Sequence, residues 1–129
     1  MNREINPASI APPAANYAHA VLSEGPQQIL HVSGVVGTRP DGSMPDDIED
    51  QATAIWANIG AILAEAGMAI SDVVSITTYV VADFMACLPE VMAARDQAMS
   101  GHRAASTLVT VPALARTAWK MEIAVVACH

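Results

Sequence analysis

The sequence predicts an α+β domain in which two helices cover one face of a five- or six-stranded sheet. Three observations carry this expectation. From Ile48 to Ala66, apolar residues recur at three- and four-residue steps, the period of an amphipathic helix. Five other stretches are short, rich in apolar and β-branched residues, and bounded by turn-forming residues, as strands are. A second helical stretch opening at Pro89 falls between two of those strands, so the order is strand, strand, helix, strand, helix, strand, strand. With 129 residues, the chain is expected to form one domain, 1–129, large enough for a core of its own.

Taken in order, residues 1–16 are rich in Pro, Ala and Asn and read as an extended arm lying on the domain. Tyr17 to Ser23 and Gln28 to Val36 are apolar runs, and Glu24-Gly25-Pro26-Gln27 between them predicts a hairpin. Ser33-Gly34 near the end of the second run marks a bulge or a close approach of ligand to backbone. A glycine that only eases strand twist accounts for it equally well. Arg39-Pro40-Asp41-Gly42 is turn chemistry. Asp46-Asp47-Ile48-Glu49 then opens the long helix in capping-box style, with acids at the positive end of its dipole. Its stripe is Ile48, Ala52, Ile55, Ile59, Ile62 or Leu63, and Ala66, and Gly67 closes it. Trp56 and Asn58 lie off the stripe, as a flank contact and a solvated amide. Asp72 to Val81 is the third strand. After a short turn from Asp83 to Leu88, Pro89 suits a first helical position, and Val91, Met92, Arg95 and Met99 continue the second helix. Gly101 releases the chain into the strand of Arg103, and the last strand runs from Trp119 to Ala127.

The strands Val73–Val81, Leu108–Val111 and Ile123–Ala127 read as apolar almost continuously, without the alternation of a solvated face. Two helices cover one side only. Other copies of the same chain are the economical cover for the second side, so an oligomer is expected.

The composition narrows the possible functions. Hydrophobic residues make up 53% and charged residues 15%, far from a disordered profile. The net charge is −7 with only six scattered basic residues, which argues against a nucleic-acid surface, because phosphate binding needs clustered Lys and Arg. Cys87 and Cys128 have no partner at metal spacing and read as reduced thiols. His19, His31, His102 and His129 show no zinc pattern, so no metal site is expected. No Ser-His-Asp set and no glycine-rich phosphate loop can be argued. No run is long and apolar enough for a signal peptide or a membrane span, and the cytoplasm is the expected compartment.

Two ionisable residues stand out. Glu122 lies within Met121-Glu122-Ile123-Ala124-Val125, and a shielded carboxylate is rare unless it is paired or working. Burial would favour its proton-transferring form near neutral pH, and a nearby arginine would oppose that. The alternative is an acid on a solvated strand face beside Lys120. Arg103 begins the strand expected to neighbour that of Glu122, and its planar fork suits a carboxylate ligand. The alternative is a surface arginine paired with Glu49 or Asp50. Tyr17 offers a phenol or a ring wall, or is an aromatic at the core edge.

Together with these residues, Pro12 to Val21, His31-Val32-Ser33-Gly34, Gly42 to Gly67 with Gln51 and Asn58, Arg103 to Val109, and Met121-Glu122-Ile123-Ala124 resemble the RidA/YjgF family across almost the whole chain. The resemblance implies a chorismate-mutase-like (YjgF-type) mixed sheet, a homotrimer with a central barrel, and pockets between subunits. It also implies an enamine/imine deaminase that hydrolyses reactive 2-imino or 2-enamino acids to 2-keto acids and ammonia without metal or organic cofactor. Carried over by position, Arg103 would hold the substrate carboxylate, and Glu122 would position the attacking water and shuttle its proton. Tyr17, Ser33 and Gly34 would line the pocket from across the seam, and the backbone at Ala105 would face the substrate nitrogen or water. The chain departs from the family at Ala105, where many members have cysteine, and at Val35, where they have glutamine. Ala124 replaces the last glutamate of a Glu-Ile-Glu pattern, and the turn near Leu88 is shorter and lacks an asparagine. A pocket more apolar than usual follows, and with it a different substrate such as a catabolic enamine. A non-catalytic module holding a small carboxylate is the alternative. Ribonuclease activity, attributed to some members, ranks below both because of the acidic charge.

Overall fold

The long apolar stripe folds as α1, Ile48–Glu65, in the computed structural model, which describes all of residues 1–129. Asp47 caps it: its carboxylate accepts the Glu49 N–H at 2.8 Å, satisfying one of the free donors of the first turn. Gly67 ends it in a left-handed conformation at φ 71°. Ile55, Ile59 and Leu63 are essentially sealed from water, and burying each such side chain contributes about 1.5–3 kcal/mol. The second helix, α2, Leu88–Met99, has Pro89 in its first turn as expected. It ends at Ser100, whose φ of 50° makes it a left-handed cap alongside Gly101.

Trp56 and Asn58 are not peripheral. Trp56 is buried in the core, because α2 packs beside α1 and widens the buried arc beyond the sheet-facing stripe. Its indole N–H has no partner within the chain. Asn58 donates to the carbonyls of Val36 and Thr38, at 3.2 and 3.0 Å, where the chain leaves the sheet.

Six strands form: β1 (Asn2–Ile5), β2 (Ala20–Ser23), β3 (Ile29–Val35), β4 (Val73–Val81), β5 (Ala105–Val111) and β6 (Met121–Cys128). Four of them make a mixed sheet in the order β3-β6-β4-β5. α2 is the crossover that lets β5 run parallel to β4, and β6 returns antiparallel between β4 and β3. The expected hairpin of the second and third strands is absent. β2 pairs instead with β1, so the N-terminal arm itself contributes a strand, and β3 spends its ladder on β6. Pro26 has no N–H to give, while the Gln27 and Gln28 amides turn to the His129 carbonyl at 2.8 and 3.1 Å. The β1–β2 ribbon meets the sheet at Ala18, whose N–H donates to Ala104 O at 3.0 Å at the β5 edge.

Both helices lie on one face. Met121, Ile123, Val125 and Ala127 of β6 join Val73, Ile76 and Val80 of β4 beneath them in one buried cluster. On the other face, β4 and β6 place Ser75, Thr77, Tyr79, Glu122, Ala124 and Val126, all half-buried. Strand alternation therefore exists where the bare sequence read as continuously apolar, with the hydroxyl-bearing Ser75, Thr77 and Tyr79 and a single acid, Glu122, among the β4 and β6 residues on the second side. Val109 (40% exposed) and Ile29 (55% exposed) leave apolar surface there too.

Candidate active site

The site residues fall into two groups at opposite ends of the uncovered face. The first group is organised by β6. Glu122 pairs across the ladder with Tyr79 of β4, which in turn lies opposite Val109 of β5. On its other side, β3 bulges at Ser33 and Gly34, between Val32 and Val35, placing Gly34 against the acid. A side chain at Gly34 would meet the Glu122 carboxyl group, with its Cβ 2.5 Å from Cδ and 2.9 Å from Cγ. Gly34 does not have a positive φ, so glycine is needed here for space and not for backbone freedom. Of the alternatives open for Ser33-Gly34, the bulge is realised, and the group pressed on the glycine is this carboxylate. None of the ion pairs within the chain includes Glu122. Lys120, the alternative partner, turns away to the Asp46 carbonyl and the Phe84 ring.

The position of Glu122 along the sheet is held from below. Gln51 of α1 is 1% exposed, and its three hydrogen bonds all go to backbone. Its amide nitrogen donates to Pro45 O at 2.7 Å and Ala118 O at 2.9 Å, and its oxygen accepts the Lys120 N–H at 3.0 Å. A buried amide satisfied in this way fixes the entry of β6 two residues before the acid.

The second group lies where the ribbon meets the sheet. Arg103 precedes β5. Ala105, the first residue of β5, pairs with Ser75 on one side and bridges to Ala18 on the other. Tyr17 is half-buried beside that bridge; its phenol oxygen accepts the Ala14 N–H at 3.3 Å, and its ring meets His19 edge-on at 6.4 Å. Arg103 is paired, though with neither Glu49 nor Asp50. Its Nε and Nη2 donate to the two carboxylate oxygens of Glu4 on β1, at 3.3 and 2.9 Å.

Arg103 and Glu122 do not meet within one chain. β4 lies between their strands, so these are not neighbours in the sheet. Along the strands, six residues separate the level of Arg103 from that of Glu122, which at about 3.3 Å per residue is roughly 20 Å. Tyr17, Arg103 and Ala105 gather at one end of the face, and Ser33, Gly34 and Glu122 at the other. Two neighbours escaped the sequence reading. Tyr79 is signalled by strand parity once the register of β4 and β6 is known. Glu4 sits in a four-residue polar strand that leaves no pattern to detect.

A sequence profile of the family described as Endoribonuclease L-PSP matches residues 8–129. Among curated proteins, a RutC family protein of Aquifex aeolicus is 33% identical over 79 residues, 60% of this chain and 61% of its own length. The RutC family protein YjgH of Escherichia coli is 37% identical over 51 residues, 40% of this chain and 39% of its own length. Those matches thus span less than two thirds of either relative. Solved structures match throughout. YyfB of Yersinia pestis, a Rid family protein of unknown function, superposes with a TM-score of 0.90 at 31% identity, covering 99% of this chain and 98% of that one. A YjgF/YER057c/UK114 family member from Mycobacterium tuberculosis gives 0.70 at 26% identity, with both chains fully covered.

Proposed function

Because the chain belongs to the Endoribonuclease L-PSP family, the Rid/YjgF family of the sequence resemblance, we propose that it is an enamine/imine deaminase. It hydrolyses 2-imino or 2-enamino acids, or a related catabolic enamine, to 2-keto acids and ammonia. The observation that carries this reading is the Glu122 carboxyl group, free of internal ion pairs and seated on the Gly34 bulge at the uncovered face. A carboxylate so placed can take a proton from water as the oxygen attacks the imine carbon. It can return that proton to nitrogen, and then relay the remaining hydroxyl proton to nitrogen as the C–N bond breaks, so that the keto group forms and ammonia leaves. Arg103 anchors the substrate carboxylate, with Tyr17 and Ala105 beside it. Since the half-sites are far apart within one chain, the working site joins Arg103 of one protomer to Glu122 of the next, in a homotrimer with the sheets facing inward.

The endoribonuclease activity in the family description receives less support from this chain. It carries six basic residues at a net charge of −7, and Arg3, Arg95 and Arg103 are already paired with acids. A non-catalytic carboxylate-binding module would use Arg103 in the same way and make Glu122 dispensable.

The test follows the disappearance of an imino acid generated in situ by an amino-acid oxidase. Glu122→Gln should lower the turnover rate by about 10²–10⁴-fold, the usual contribution of a general acid–base. Arg103→Ala should remove saturation by substrate while the assembled mass stays unchanged. Mixed assemblies of the two inactive variants should recover about a quarter of the activity, because one seam in four then unites an intact arginine with an intact glutamate. Full activity of Glu122→Gln would refute Glu122 as the proton carrier, and no acceleration by the wild-type protein would leave only the binding module. Mixed assemblies without recovery would refute a site shared between protomers.

A further inference from the structure

The guanidinium assigned to the substrate carboxylate already carries a carboxylate of the same chain. Glu4 grips the Nε/Nη2 edge of Arg103, and the Asn6 side chain steadies it by donating to Glu4 Oε2 at 3.3 Å. Asn6 is itself tied to the residue that leads into β2, since its side-chain oxygen accepts the His19 N–H at 2.8 Å. Glu4 is therefore held in place by the β1–β2 ribbon, and it is not a wandering surface acid. Only the Nη1/Nη2 edge of Arg103 remains for a ligand, and a carboxylate bound there shares Nη2 with Glu4.

This arrangement treats different carboxylates differently. A 2-keto acid brings one negative charge next to the Glu4 carboxylate and is repelled by it. A 2-imino acid protonated on nitrogen, or a 2-amino acid, brings a cation on the carbon adjoining its carboxylate, within reach of the Glu4 oxygens. We infer that Glu4 is a specificity-determining residue that makes the Arg103 half-site favour carboxylates bearing an adjacent cationic nitrogen over plain carboxylates. The deamination product falls in the disfavoured class, so the same residue hastens its departure. The inference rests on Arg103 being the ligand anchor, as proposed above.

The experiment compares binding of 2-oxobutanoate and L-2-aminobutyrate by calorimetry to the wild-type assembly and to its Glu4→Gln, Arg103→Ala and Glu24→Gln variants. Glu4→Gln should tighten 2-oxobutanoate about two- to fivefold, the range set by a partly exposed charge pair, while L-2-aminobutyrate gains nothing or weakens. Glu24→Gln removes the ribbon's other ion pair, with Arg3, and should leave the ratio of the two affinities unchanged. An equal change for both ligands in Glu4→Gln, no change for either, or the same ratio shift in Glu24→Gln would overturn the inference. Undiminished binding of both ligands by Arg103→Ala would instead remove the anchor reading beneath it. Loss of both in that variant, with no ratio shift in Glu4→Gln, refutes the role of Glu4 alone.

Discussion

Replacing Gly34 by alanine separates what the bulge does for stability from what it does for chemistry. The added Cβ would stand 2.5 Å from Glu122 Cδ and closer still to Oε2, where ordinary contact begins at 3.4 Å. The carboxyl carbon must retreat by about 0.9 Å. The obstacle is the far end of a flexible side chain with no ion pair to break, so the retreat is cheap in folding terms. Alanine also restricts the unfolded chain, which is worth about 0.4–1 kcal/mol in the opposite direction. The two effects nearly cancel, and thermal unfolding should shift by no more than about 1 kcal/mol either way. Catalysis has no such compensation. A misplacement of about 1 Å of a group that must reach a water and a carbon atom together costs on the order of 10²-fold in rate. The assay pairs the imine-hydrolysis rate with a melting curve on the same preparation. A Gly34→Ala protein that melts like wild type and retains full rate would show that the position of the Glu122 carboxyl does not matter to the reaction. A protein that fails to fold would show that the bulge cannot yield, against the geometry.

Gln51→Ala should cost about 2–4 kcal/mol in denaturant unfolding, since it strands the Lys120 N–H and the Pro45 and Ala118 carbonyls in a buried place. A loss below about 0.5 kcal/mol would mean that these groups find other partners. Asp72 should give the fold an acid-sensitive element. Burial pushes its carboxyl up, but the Ala69 N–H, the His129 ring bond and the charges of His129 and His102 together hold it below its ordinary value. A depressed carboxylate stabilises the fold above its unfolded-state pKa, and that contribution is lost as pH falls through the folded-state value. Asp72→Asn should therefore melt below wild type at pH 7, with the gap closing below about pH 3.8, as melting curves across pH would record. A gap independent of pH would assign the effect to shape and not to charge.

What the sequence made legible follows from how local each signal is. The helix at Ile48, the proline start of α2, the acid in an apolar strand and the glycine two residues before Val36 are all written within a few letters. Strand partnership is not, because β3 and β6 find each other across most of the chain, and a plausible turn at Glu24-Gly25-Pro26-Gln27 suggested the wrong neighbour for β2. The separation of Arg103 from Glu122 was hidden for the same reason: sharing a sheet says nothing about which strand lies between. Trp56 was misjudged because its burial depends on α2, which one helix's periodicity cannot report. Glu4 was invisible because a short polar strand resembles any solvated arm.

The Gln51 amide gives the molecule a mechanical stop. A strand that slips by one residue turns every side chain to the opposite face, and for β6 that would exchange the acid for Ile123 or Met121. By clasping the backbone on both sides of Trp119, a side chain nearly seventy positions upstream keeps the last strand from sliding. The Glu122 carboxyl is thus indexed by a helix it never touches.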